Sequence, residues 1–95
     1  MKIVIVNTNK TGDPTGWWHG KTEIVRKCDY LVEEQNGEIK GVYEFSGIST
    51  KTKDNKFSFK GLKEVTAPIV IEEMRNKIDV SRKQGEQNSL RYCEI

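Results

Sequence analysis

The stretch "DYLVEEQNGEIKGVYEF", Asp29–Phe45, carries two β-rich runs on either side of Asn36-Gly37. Both central residues of a two-residue type I′ turn need positive φ, which Asn and Gly adopt at little cost, so the dipeptide predicts a hairpin. Its strands read as Tyr30–Glu34 and Ile39–Phe45. In the second run Ile39, Gly41, Tyr43 and Phe45 alternate with Lys40, Val42 and Glu44. Val42 implies partial burial of the second face, and Gly41 a bulge or a close backbone approach.

Outward from the hairpin, "KIVIV" (Lys2–Val6) is a continuous apolar, β-branched run, as expected of a strand covered on both faces. The Thr/Asn/Gly/Asp/Pro cluster that follows, through Gly16, reads as a loop. "HGKTEIVRKC" (His19–Cys28) reads as a short helix with Ile24, Val25 and Cys28 inward, too short to stand without packing. "STKTKDN" (Ser49–Asn55) reads as a polar loop, and "KFSFKG" (Lys56–Gly61) as a strand with Phe57 and Phe59 on one face. Pro68 suits a first helical position, so "IVIEEMRNK" (Ile69–Lys77) reads as a helix, although "IVI" alone fits a strand equally well. "SRKQGEQN" (Ser81–Asn88) reads as a loop and "SLRYCEI" (Ser89–Ile95) as a last strand. About five strands with one or two short helices make an α+β fold around a curved mixed sheet.

The 95 residues suit a single domain, 1–95, with one modest core. At 35% hydrophobic and 32% charged residues the core is lean, so each large aromatic matters. No apolar run is long enough to span a membrane, and "KIVIV" is too short for a signal-peptide core, so the expected location is the cytoplasm. Sixteen basic residues against 14 acidic give a net charge of +2. That balance permits nucleic-acid contact without demanding it, and "KTKDNK" (Lys51–Lys56) and "SRKQ" (Ser81–Gln84) read first as solvated loops. Cys28 and Cys93 form no CxxC or Cys/His spacing, so neither a disulfide framework nor a metal site is expected, and no cofactor. His19 is the natural acid–base candidate, and a Cys–His pair has no local support.

Five pieces occur in an order that resembles a group of small phage and bacterial proteins: "VNTN" (Val6–Asn9), "GWW" (Gly16–Trp18), "CDYLVEEQNGEIKGVYEF" (Cys28–Phe45), "FSFKG" (Phe57–Gly61) and "GEQNSLRY" (Gly85–Tyr92). The group is similar to the PUA-like superfamily, with relatives among PUA, ASCH, EVE and YTH domains. The resemblance spans nearly the whole chain. It implies a strongly curved mixed sheet forming a partly open barrel, with short helices at its ends, and a pocket for a nucleobase. In EVE and YTH relatives an aromatic cage holds a modified base. Ser89 stands where the group has proline before the last strand.

A flat base offers a π face and a polar edge, the first read by stacking and the second by amides or guanidinium groups. The loops supply both: Trp17 and Trp18 for stacking; Asn7, Asn9, Gln87 and Asn88 for edges; Lys21 or Arg91 for a phosphate. Simpler roles compete. A small domain needs its tryptophans inside, Asn7 and Asn9 suit Asx turns, and a strand arginine commonly pairs with a carboxylate. Adjacent side chains in an extended stretch point to opposite sides, so one tryptophan can be core and its neighbour a platform.

The leading expectation is a non-enzymatic module binding a nucleobase-containing ligand, either a modified base or a free or signalling nucleotide. For a phage-encoded chain this would mean sequestering a nucleotide in the host cytoplasm. One alternative is DNA or RNA binding through the basic loops. Another is an ASCH-type hydrolase of a modified nucleoside, suggested by "KTE" (Lys21–Glu23). A homo-oligomer is compatible with each.

Overall fold

The structure is a computed structural model that describes residues 1–51, 55–78 and 90–95. Its axis is β1 (Lys2–Asn7), in which Ile3, Val4, Ile5 and Val6 are all buried. That follows from the sequence: β-branched side chains on both faces of a strand need a layer on each side. β1 pairs in parallel with β3 (Tyr30–Gln35) and antiparallel with β8 (Leu90–Glu94). The hairpin at Asn36-Gly37 forms as expected, joining β3 to β4 (Glu38–Glu44), with φ of 53° at Asn36 and 80° at Gly37.

The register shifts across this hairpin. Glu33 faces Gly41 and Glu34 faces Ile39, leaving Lys40 as the extra residue of a bulge next to Gly41. The two-residue β7 (Lys63–Glu64) completes a mixed five-stranded sheet in the order β7-β4-β3-β1-β8. A second, antiparallel sheet has the order β2-β6-β5, from β2 (Trp18–His19), β5 (Gly47–Lys51) and β6 (Lys56–Lys60). The fold is thus α+β, with two sheets of linear strand order and no closed barrel among the described residues.

Two apolar clusters lie on opposite faces of β1. Ile3 and Ile5 join Val32, Ile39, Val42, Met74 and Ile78, where α2 (Pro68–Lys77) covers the larger sheet. Pro68 opens that helix, settling the "IVI" ambiguity: Val70 and Ile71 reach this cluster from one helical face while Ile69 is exposed. Val4 and Val6 join Trp18, Val25, Leu31, Phe57, Phe59 and Leu90, where the smaller sheet and α1 (Thr22–Val25) lie. Each fully buried aliphatic side chain contributes roughly 1.5–3 kcal/mol. Phe59 sets its ring edge-on to both Phe45 and Phe57, at 5.1 and 5.4 Å.

Three expectations change. Ser49–Lys51, the start of the expected loop Ser49–Asn55, belong to strand β5, while Thr52–Asp54 lie outside the described residues: β5 is polar because Ser49, Thr50 and Lys51 sit at the rim of a small sheet, where pairing with β6 and not side-chain burial defines the element. Trp18–His19, read as loop and helix start, is a short strand paired with Phe57–Lys56. The helix in His19–Cys28 contracts to Thr22–Val25.

Candidate functional site

The smaller sheet sorts its side chains by pairing. Trp18 faces Phe57 and both are buried, so the next row, His19, Lys56 and Lys51, projects from the opposite face. Trp17 precedes Trp18 in the chain and turns to that same outer side. The division of the two tryptophans is therefore decided. Trp18 is 4% exposed and its Nε1 donates to the Pro14 carbonyl at 3.1 Å, whereas Trp17 is 43% exposed. Trp18, a ligand candidate from sequence, is a core residue. Over the ring of Trp17 stands the ammonium of Lys51, 4.4 Å from the centroid.

Lys51 also lines a cleft of about 680 Å³ between the Gly20–Glu23 segment and the end of the β5–β6 hairpin. Lys21, Lys51 and Lys56 border it, with Glu23, Thr22 and Asn55. None of these lysines forms an ion pair with a carboxylate among the described residues. Among the described residues, three cations against one carboxylate, with a half-exposed indole under Lys51, make a local field suited to an anionic ligand with a flat group. The cleft wall is held from behind. Lys21 donates its backbone N–H to the Tyr92 hydroxyl at 2.7 Å, and Gly20 lies where a Cβ would stand 2.8 Å from that oxygen.

The other polar concentration lies at the carboxyl ends of the parallel pair β1 and β3. Glu33 and Glu34 are consecutive, both buried, and point to opposite faces of the sheet. Glu33 accepts hydrogen bonds from Thr8 Oγ1 at 2.7 Å, Tyr43 Oη at 3.1 Å and Gln35 Nε2 at 3.4 Å, with Lys40 Nζ at 3.8 Å. Glu34 accepts from Asn7 Nδ2 at 2.8 Å and from the Gly37 N–H at 3.2 Å, with Arg91 Nη2 at 3.8 Å. Gln35 and Lys40 also donate to the Gly12 carbonyl, strapping the first loop to the sheet. No buried side-chain polar atom described lacks a partner, so this network reads as structure.

These contacts place the remaining candidates. Asn7 bonds to Glu34 through Nδ2 and accepts the Asn9 N–H through Oδ1, and Asn9 accepts the Asn36 N–H. Both asparagines therefore fix the strand exit and do not border the lysine cleft. Arg91 turns to Glu34 and not to the cleft. Gln87 and Asn88, with the Ser81–Gln84 cluster, lie outside the described residues. Of the sequence candidates the fold brings Lys21 to the cleft and Trp17 into contact with its Lys51, and it adds Lys51 and Lys56, which read from sequence first as solvated loop.

Two titrating groups show what the site's surroundings do. The Cys28 thiol is pushed above its ordinary value by burial and by the neighbouring Asp29 charge, and its Sγ donates to the Ile24 carbonyl at 3.3 Å. A thiol held protonated is a poor nucleophile. Tyr43 is pushed up to about 12 by burial, then by the Glu33 charge and the hydrogen bond it donates to Glu33. A pKa raised in the folded state stabilises the fold below the unfolded value, about 10, and that contribution is lost as pH climbs toward 12. Chemical denaturation between pH 9 and roughly 12 is expected to show wild type losing stability faster than Tyr43→Phe. Parallel pH profiles for the two proteins would contradict this assignment.

No protein-family model, curated protein or solved structure matches this chain.

Proposed function

We propose that this chain is a non-enzymatic binding module for a nucleobase-containing ligand, with the phosphate on Lys21, Lys51 and Lys56 and the base on Trp17. The observation that carries the reading is the pairing of a half-exposed indole with Lys51, which also lines a cleft bordered by two further lysines that form no ion pair among the described residues. Indole supplies a stacking face, and ammonium groups supply strong, orientable donors to phosphate. The order of sequence landmarks shared with the PUA-like group supports the same reading. In it, the two sheets are the halves of a partly open PUA-like barrel. A modified base or a free signalling nucleotide fits this chemistry, and for a phage-encoded chain sequestration is the matching role.

A thermal-shift and indole-fluorescence screen of nucleoside phosphates, cyclic dinucleotides and modified nucleosides tests it. At least one is expected to raise the melting temperature by mass action and to change the Trp17 emission. Trp17→Ala is expected to weaken that binding about 5- to 150-fold, the loss of one stacking contact, with Lys51→Ala weakening it through the lost charge. A screen in which no compound shifts wild type would sink the small-molecule reading. Recovery of the ligand intact after denaturing the protein separates binding from hydrolysis.

One observation favours nucleic acid as the second reading: His19, Lys51, Lys56, Ser58 and Lys60 share the outer face of the small sheet with Trp17. A single strand could track such a face. Binding of short single-stranded oligonucleotides that falls steeply with salt would support it, and no binding at low salt would remove it.

A further inference from the structure

Glu23 borders two clefts. One is the lysine cleft described above, and the other, of about 360 Å³, opens between α1 and the β8 edge. The second is lined by Ile24, Cys28 and Tyr92, and by two lysines, Lys2 and Lys27, and two carboxylates, Glu23 and Glu94. Its chemistry differs from that of its neighbour in a way that selects a different guest. Two lysines are matched there by two carboxylates, so no net charge calls for a second phosphate. Ile24 and Tyr92, 37% and 36% exposed, offer apolar surface that the fold leaves uncovered. Together with Trp17 they are three of the five large hydrophobic residues exposed among those described; Ile24 and Tyr92 line the second cleft, and Trp17 lies under Lys51, which lines the first. Both volumes fall in the range of small-molecule sites.

We propose that the second cleft is a subsite for the second base of a dinucleotide-class ligand, two nucleosides joined through phosphate. This rests on the nucleotide reading of the lysine cleft and extends it. Trp17 belongs to the hairpin side of that cleft through Lys51, while Glu23 belongs to the facing segment, beyond which the second cleft opens. A ligand with its phosphate on the lysines would therefore have one base at the Trp17 side and another over Ile24 and Tyr92. Glu23, between phosphate and second base, is placed to accept hydrogen bonds from ribose hydroxyls. A neutral heterocycle suits the charge-balanced chamber, where a further phosphate would gain nothing.

The test compares 5′-phosphorylated homodinucleotides of the four bases with the matching nucleoside monophosphates and diphosphates, titrated into the full chain by calorimetry. At least one dinucleotide is expected to bind about 10-fold or more tightly than both its mono- and diphosphate, as one added stacking contact would produce. Ile24→Glu, on the exposed side of α1, is expected to abolish that advantage while leaving monophosphate affinity unchanged, which also shows that the variant folds. Lys27→Glu, in the lining of the second cleft, is a second variant and should diminish the advantage. A diphosphate that gains as much as the dinucleotide, or an advantage that survives Ile24→Glu, would overturn the second subsite and leave the lysine cleft standing. Binding of no nucleotide at all would overturn both.

Discussion

Alanine at Trp18 is expected to remove about 3–5 kcal/mol of folding stability, and alanine at Trp17 about 1 kcal/mol or less. The two residues are adjacent and chemically identical, so the contrast isolates what burial does. Trp18 packs among Val4, Val6, Val25, Leu31 and Phe57, and its indole N–H is bonded to the Pro14 carbonyl. Truncation would open a cavity in the cluster that joins the two sheets and would free the loop that Pro14 anchors. Small domains have only about 5–15 kcal/mol in hand, so this variant sits close to the edge of folding. Trp17 loses an exposed face and one cation–π contact with Lys51. Urea denaturation of both variants is the measurement. Equal losses would mean that both rings are core, and the proposed platform role of Trp17 would go with it.

A second large effect is expected at Glu33. Glu33→Ala should cost about 3 kcal/mol, because it leaves the buried Thr8 hydroxyl and the Tyr43 hydroxyl without their acceptor. The control is Glu73, whose carboxylate also takes a lysine, Lys77, at 2.9 Å but at the surface of α2. Glu73→Ala should cost about 0.5 kcal/mol or less, since an exposed i,i+4 pair is screened by water and salt. The buried network also ties Gly12 to Gln35 and Lys40. Amide exchange at Gly12, whose N–H bonds to the Thr8 carbonyl, is therefore expected to accelerate in Glu33→Ala and to stay unchanged in Glu73→Ala. If the two variants lose equal stability, the Glu33 network is ornamental to the fold.

The Glu33–Glu34 pair marks one limit of what the sequence could show. Two consecutive carboxylates inside "YLVEEQ" interrupt an apolar run, and a strand cannot turn both to solvent on one face. That interruption was a signal of a polar network inside the sheet. Its partners were not legible, because Thr8 and Asn7 arrive from a different strand and Arg91 from the other end of the chain. The strand "GISTK" marks another limit, since a polar edge strand carries no burial pattern to betray it.

What local physics dictates was present in the sequence by itself. Positive φ at Asn36-Gly37 called the hairpin, β-branched residues on both faces of "KIVIV" called a doubly covered strand, and the spacing of Phe57 and Phe59 called a one-sided one. Each depends on residues within a few positions of one another. The candidate site does not. Lys21 lies on one segment and Lys51 and Lys56 on another, and only the pairing of β2 with β6, and of β6 with β5, brings them to a common cleft. The same pairing sent Trp18 into the core against Phe57 and left Trp17 on the outer face beneath Lys51. The alternation that made such a division available is local, but which ring goes inward depends on the strand it pairs with. For that reason only the tertiary structure could choose between two identical neighbours.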